Sequence, residues 1–380
     1  MKSLLLFLIM VTAVPSGQAQ DSPAVPKKFE VQGYLKNLQI IGLVKNEKPS
    51  WNSIIHNRIN AKWRINGHAS LTAEVRNRIF LGEDIRQTGG FTNRLRNPNE
   101  YFNLQKVWIE NRSMVFHSNI ERLYFDYHSD KIAFRAGRQR INWGMTTTWN
   151  PNDIFNTYNF LDFDYAERPG ADGVKVSYKI SPEVNTEIAY TNSGTPGGDI
   201  AAAKLSYNRW NYDWQVITGL YQRNLTVGLG WAGAVKSVGF KGEAQYFNLN
   251  GGLFNLAVEA DYMFKTGWYV NTGVLFTDHG ITDQIPIVQA FEFIPSPERL
   301  MPTKWTVIGT VAKELNPLLS VRSSIVFSPG TNLLILYPSL KYNIMPDFDL
   351  DFILQSFFAR GNSALENLNN NLYIKATWNF

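Results

Sequence analysis

Cysteine is absent from all 380 residues. No disulfide can staple this chain, and no thiolate can act as nucleophile or metal ligand. Charge is scarce as well: Asp, Glu, Lys and Arg make up 18% of the residues. The formal net charge of +5 is modest, and the basic residues are spread along the chain. That argues against a nucleic-acid-binding surface, which gathers its cations on one patch. After the first residues there is no apolar run near the roughly 20 residues a transmembrane helix needs. The five histidines, His56, His68, His117, His128 and His279, show no paired spacing for a transition metal. No nucleophile signature stands beside any of them, so the reading is a non-enzyme without metal or cofactor.

What the chain has in abundance is aromatic surface. Its 11 Trp, 17 Tyr and 24 Phe amount to 14% of the residues, yet the mean hydropathy is only −0.22. An exported chain with these properties fits an all-β transmembrane antiparallel β-barrel, apolar outside, polar inside and belted by aromatics. Export is read from the start. Lys2 precedes the short apolar run of residues 4–14, and Gly17 and Ala19 suit the small positions before a cut. Residues 1–19 are therefore expected to be a signal peptide, and residues 20–380 a single barrel domain. The destination is the cell outer membrane of a Gram-negative bacterium.

Alternation along the chain carries the fold. In residues 54–65, Ile55, Asn57, Ile59, Ala61, Trp63 and Ile65 fall on one face, and His56, Arg58, Asn60, Lys62 and Arg64 on the other. A helix would mix these sets, whereas a strand separates them. Asn66-Gly67 then marks a tight hairpin, and Leu71, Ala73, Val75 and Ile79 oppose Thr72, Glu74, Arg76 and Arg78 in the return strand. The same rhythm recurs to the end, giving about 18 strands of roughly 10 residues. Residues 104–116 read as loop, short helix or an unpaired extra strand, so 16 strands stays open. The closing stretch places Leu372, Ile374, Ala376, Trp378 and Phe380 on one face. It is expected to close the wall on the first strand, with Trp378 and Phe380 as the signal read by the barrel-insertion machinery.

One segment is more specific. Residues 137–156 read GRQRINWGMTTTWNPNDIFN, and ERPGADG follows at 167–173. This pattern resembles bacterial outer-membrane porins of the alginate-export-like, substrate-selective type, in forms from Bacteroidetes. The resemblance implies a large barrel whose channel is partly closed by an inward-folded loop. The aromatic load agrees: Trp143, Trp149, Phe155, Tyr158, Phe160, Phe163 and Tyr165 are too much apolar surface for solvent. Trp149, Asp153, Phe155, Glu167 and Arg168 are the candidate constriction residues. The loop's acids, with Asp162 and Asp164, are expected to pair with wall arginines.

The basic face supplies the functional expectation. His56, Arg58, Lys62, Arg64, Arg76, Arg78, Lys175 and Lys179 are candidate pore-lining residues, and a basic wall favours anions. Glu74, Glu187, Glu243, Glu259 and Asp261 face inward by the same alternation and temper that preference. The expected function is passive diffusion of a small hydrophilic solute, with an anion favoured. The alternative is a non-conducting barrel serving as scaffold or subunit of an assembly, secretion or polysaccharide-export complex. The expected surroundings are outer-membrane lipid and lipopolysaccharide, and the assembly a monomer or a homotrimer.

Overall fold

The computed structural model describes residues 27–95, 97, 100–157, 169–195, 197–249, 251–283, 293–331, 333–360 and 365–380. The expected signal peptide lies outside them, as do Glu167, Arg168 and the loop aromatics from Tyr158 to Tyr165.

The chain forms a closed antiparallel barrel. Its first half comprises β1 (Phe29–Val44), β2 (Ser50–Arg64), β3 (Ala69–Gly82), β4 (Gln105–Glu110), β5 (Met114–His128), β6 (Ile132–Gln139), β7 (Ala171–Lys179), β8 (Val184–Thr191) and β9 (Ile200–Arg209). The second half comprises β10 (Tyr212–Tyr221), β11 (Asn224–Val235), β12 (Val238–Phe247), β13 (Leu253–Met263) and β14 (Trp268–Thr277). It continues through β15 (Trp305–Asn316), β16 (Leu319–Ser328), β17 (Leu333–Met345), β18 (Phe348–Arg360) and β19 (Leu365–Asn379). Each wall strand pairs with its neighbour in sequence, except that β3 pairs with β5 across the intervening segment. With β4 set aside, 18 strands make the wall, as the alternation predicts.

β4 corrects the reading of residues 104–116, because it is a paired strand. It runs against Val115–Asn119 of β5, on the edge that β6 leaves when it stops pairing at Leu123↔Arg138. Exposed main-chain donors on that stretch of β5 would cost several kcal/mol each in an apolar setting, and β4 takes them up.

Closure is made by β1 and β19, in register from Tyr34↔Asn379 to Val44↔Asn369. Gly33 and Phe380 extend the ladder, with Gly33 N donating to Phe380 O at 2.8 Å and Phe380 N to Gly33 O at 2.9 Å. The two faces then separate as hydrophobicity dictates. Ile59, Leu71, Val174, Leu205, Val216, Leu229, Val274 and Ile325 are exposed on the outside, while His56, Arg58, Glu243, Gln245, Asn255 and Glu259 are buried inside. Trp51 and Trp63 both point outward from β2, twelve residues apart. At about 3.3 Å per residue and a tilt near 40°, that is ~30 Å, close to the height of an apolar band.

Amides also occur on the outer face, between those two tryptophans. Asn57 Nδ2 donates to Tyr34 O at 3.2 Å, and Asn77 Nδ2 to Asn57 Oδ1 at 3.2 Å. The Ser118 hydroxyl donates to Asn77 Oδ1 at 2.6 Å, and Trp108 Nε1 to Ser118 Oγ at 2.9 Å. Each amide uses its neighbour, which lowers the cost of polar atoms at this depth.

A Cβ at Gly33 would lie 2.2 Å from Arg58 O and 2.8 Å from the Phe380 ring. Gly33→Leu is therefore expected to push the seam apart and lower barrel stability by about 1–3 kcal/mol. Urea titration of the barrel in lipid, followed by heat-modifiable gel mobility, measures it; an unchanged midpoint would mean the seam tolerates side chains there.

Candidate functional site: the inward loop and the wall that holds it

The chain leaves the wall after Gln139 and enters the barrel. Residues Ile141, Trp143, Trp149, Ile154 and Phe155 are all buried, Trp143 and Trp149 to 2% exposure and Phe155 to 1%. Ile141, Trp143, Ile154 and Phe155 pack with Ile200, Ile217, Tyr221, Phe247 and Leu253, inward residues of the wall. Trp149 packs with Ala257, Leu275, Ile308, Val326, Leu333 and Ile335. Leu300 and Met301, in the connection between β14 and β15, join that second cluster. Burying one such aromatic is worth on the order of 2–3 kcal/mol, so the loop is held as a core would be.

Two wall carboxylates fix its path. Glu243 of β12 accepts the main-chain N–H of Met145, that of Thr146 at 2.6 Å and that of Asn152 at 2.9 Å. It also accepts the Thr146 hydroxyl at 2.9 Å and Asn150 Nδ2 at 3.1 Å. Glu259 of β13 accepts Thr147 N at 2.7 Å and Thr148 N at 2.8 Å. Gln215 Nε2 donates to Trp143 O at 2.7 Å, and Asn152 Nδ2 to Leu229 O at 2.8 Å. Charge-assisted bonds of this kind are the strong ones. Here wall acids receive loop donors; of the loop acids expected to meet wall arginines, Asp162, Asp164 and Glu167 lie outside the described residues. Asp153 is buried in this loop, while Glu167 and Arg168 lie outside the described residues.

The halves of the motif meet at Arg138. Gly137 has φ +118°, where a Cβ would strike Leu123 O at 2.2 Å, so β6 turns here at a residue that must be glycine. Arg138 then sits almost fully buried at the junction of β6, β7 and the segment before β4. Its Nε donates to Asp172 Oδ1 at 2.8 Å and its Nη2 to Asp172 Oδ2 at 2.9 Å, a bidentate pair. Nη1 lies 3.1 Å from Glu100 Oε2 and donates to Ile120 O at 3.0 Å, and Nη2 also reaches Phe102 O. Burial pushes the Glu100 carboxyl above its ordinary range, and Arg138 pulls it back. Neither Asp172 nor Glu100 is singled out by sequence reasoning, although Asp172 stands in the ERPGADG half of the motif.

The basic residues predicted from alternation have their side chains on the inward face of β2, β3 and β7. His56, Arg58, Arg76 and Arg78 are buried, Lys62, Arg64 and Lys175 half-buried, and Lys179 exposed at the strand end. Acids accompany many of them. Glu74 contacts Arg58, Glu121 meets Arg76 at 2.7 Å, Glu30 meets Arg64 at 2.7 Å, and Glu187 bridges Lys175 and Lys204 at 3.3 and 2.8 Å. Arg78 Nη2 lies 3.4 Å from His117 Nδ1. In the ring of 18 strands, β12 and β13 stand half a turn from β2 and β3. The loop is therefore anchored on the wall opposite the arginines. Trp378 and Phe380, rings 5.4 Å apart, end the closing strand.

These features define a porin-type barrel with an inward loop. Known structures share the barrel fold. The chain is similar to Pseudomonas aeruginosa OpdQ with TM-score 0.59 at 8% identity, over 93% of this chain and 99% of that one. It is similar to Acinetobacter baumannii OccAB3 with TM-score 0.57 at 12% identity, over 93% and 99%, and to Pseudomonas aeruginosa OccK11 with TM-score 0.55 at 9% identity, over 93% and 96%. These neighbours are outer-membrane porins, and at such identities the likeness is one of fold. No protein-family model matches the chain, and no curated protein matches it either.

Replacing Glu243 with Leu strands several buried loop donors, at about 1–3 kcal/mol for each left unpaired. Hydrogen exchange at the Met145, Thr146 and Asn152 amides is expected to accelerate more than about tenfold, with the wall amides unchanged. Equal protection in the variant would mean that apolar packing alone seats the loop.

Proposed function

We propose that this protein is an outer-membrane channel for passive diffusion of a small hydrophilic solute, with anions favoured. The observation that carries the reading is the seat of the loop. It is bound to β12 and β13, so a passage past it is bordered by the inward arginines of β2 and β3. Barrels of 16–18 strands leave an aqueous lumen, and charged rings on its wall bias which ions enter. His56, Arg58, Lys62, Arg64, Arg76, Arg78, Lys175 and Lys179 are assigned to that lining, and Trp149, Asp153 and Phe155, with Glu167 and Arg168, to the constriction. The likeness to outer-membrane porins supports the location and the absence of an enzymatic role.

Finer assignments follow the same reading. By the resemblance of its GRQ and ERPGADG segments, the protein is read as a porin of the alginate-export-like, substrate-selective type, in a form from Bacteroidetes. Residues 1–19 direct export, and Trp378 and Phe380 present the closing strand to the insertion machinery. Lipid and lipopolysaccharide surround the outer face, where the seam of Asn57, Asn77 and Ser118 suits a homotrimer contact. A second reading, a non-conducting barrel acting as scaffold, is favoured by one observation: Arg58 and His56 are 1% and 0% exposed, a tight fit for an open lumen.

Planar-bilayer recording separates the two, since stable ion-selective steps belong only to the channel. Within the channel reading, neutralising Arg58, Arg64, Arg76 and Arg78 together leaves Glu74, Glu121 and Glu30 without their partners. The reversal potential in a salt gradient is expected to move toward the cation equilibrium potential, by a several-fold change in permeability ratio. A reversal potential that stays put would remove these residues from the conduction path.

A further inference from the structure

The inward loop has an underside. A cavity of about 380 Å³ lies between its first arm, Asn142–Met145, and the inner ends of β8, β9 and β10. That size falls at the small end of ligand sites. The register sets three uncharged polar side chains in one row across three strands: Asn185 faces Ser206, and Ser206 faces Gln215. All three line the cavity. Neighbouring strands are about 4.8 Å apart, so the row presents amide, hydroxyl and amide at short, regular steps.

Their bonding capacity is largely unused. Gln215 Nε2 is spent on Trp143 O, the ceiling of the cavity, but its carbonyl oxygen accepts no bond among the described residues. The side chains of Asn185 and Ser206, both half-buried, make no hydrogen bond there either. The charges around them, by contrast, are occupied. Lys204 is 2.8 Å from Glu187 and has its Nζ 5.5 Å from the centre of the Trp143 ring, and Asp213 accepts Asn208 Nδ2 at 2.6 Å. Two carboxylates on the lining, Glu183 and Asp213, are bonded only to neutral groups and repel an anion, so a cavity lined by open donors and acceptors matches a solute with many hydroxyl groups and no charge.

We infer that the Asn185–Ser206–Gln215 row is a docking subsite for a neutral polyhydroxylated solute, of the size of a polyol or small saccharide, beneath the inward loop. This rests on the channel reading for its role in transport, but not for binding itself. It also differs in chemistry from the arginine side of the lumen. Amides and hydroxyls supply hydrogen bonds to sugar hydroxyls, and a site built that way discriminates against solutes lacking them.

The test uses the full barrel in detergent, titrated with sucrose and, separately, with gluconate, by saturation-transfer difference NMR. Saturable sucrose binding is expected, with gluconate weaker. Asn185→Leu/Ser206→Val is expected to raise the sucrose dissociation constant by about tenfold, from the loss of two hydrogen-bonding groups. Ser206→Ala alone removes only a hydroxyl and serves if the double variant misfolds, with a smaller rise expected. Absence of saturable sucrose binding, a preference for gluconate, or an unchanged constant in a folded variant overturns the subsite. Bilayer recording on the same preparation keeps the two readings apart. Sucrose binding in a barrel without conductance sinks the channel and leaves the subsite, and conductance without sucrose binding does the reverse.

Discussion

Hydrocarbon offers a peptide group nothing to bond with, and the architecture follows from that deprivation. Every main-chain N–H and C=O at membrane depth must find a partner inside the protein, so the sheet has to close and no wall edge can be left over. The β1–β19 seam meets this demand at one place, and β4 meets it at another, where β6 departs toward the interior. The latter is the less obvious device. A strand that leaves the wall to enter the lumen uncovers its neighbour, and a short hairpin strand fills the vacancy. Arg138 ties the three pieces together at that point, through Asp172 on β7 and through Glu100 and Phe102 ahead of β4.

Closure also relocates the hydrophobic core. In a soluble domain the apolar faces of the elements meet each other. Here the wall's apolar face is turned outward, and the packed core lies inside, between the loop at 141–155 and the inward aliphatic residues of β8–β18. The lumen is consequently lopsided in chemistry. One side is oily and amide-rich and carries the loop; the other, from β2 to β7, is a lattice of arginines, lysines and their acids.

The strands were legible because lipid on one side and polar surroundings on the other force a strict two-residue period. Where that constraint lapses, so did the reading. β5 runs from Met114 through a bulge in which Glu121 is an extra residue against β3, with the register shifting between Glu74 and Val75. That bulge reverses the phase of the alternation above it. β19 begins at Leu365, ahead of the stripe that starts at Leu372, in an asparagine-rich stretch without an oily face, where pairing needs no hydrophobic stripe. The inward loop was legible from its aromatic load, but its fastening was not. Glu243 and Glu259 could be assigned to the inner face, yet their partners are backbone N–H groups, which every residue but proline possesses and which leave no trace in a sequence. Arg138 and Asp172 lie 34 positions apart, and only the fold makes them neighbours.

That mode of fastening carries a consequence for how such a loop can change over time. Glu243 and Glu259 read the course of the backbone and, apart from Thr146 and Asn150, ignore what hangs from it. Residues 145, 147 and 148 can therefore drift in size and polarity while the loop stays moored, provided none becomes proline. The protein can re-line what the loop presents to a passing molecule without redesigning the mooring, a division of labour that leaves the wall conservative and the loop tip inventive.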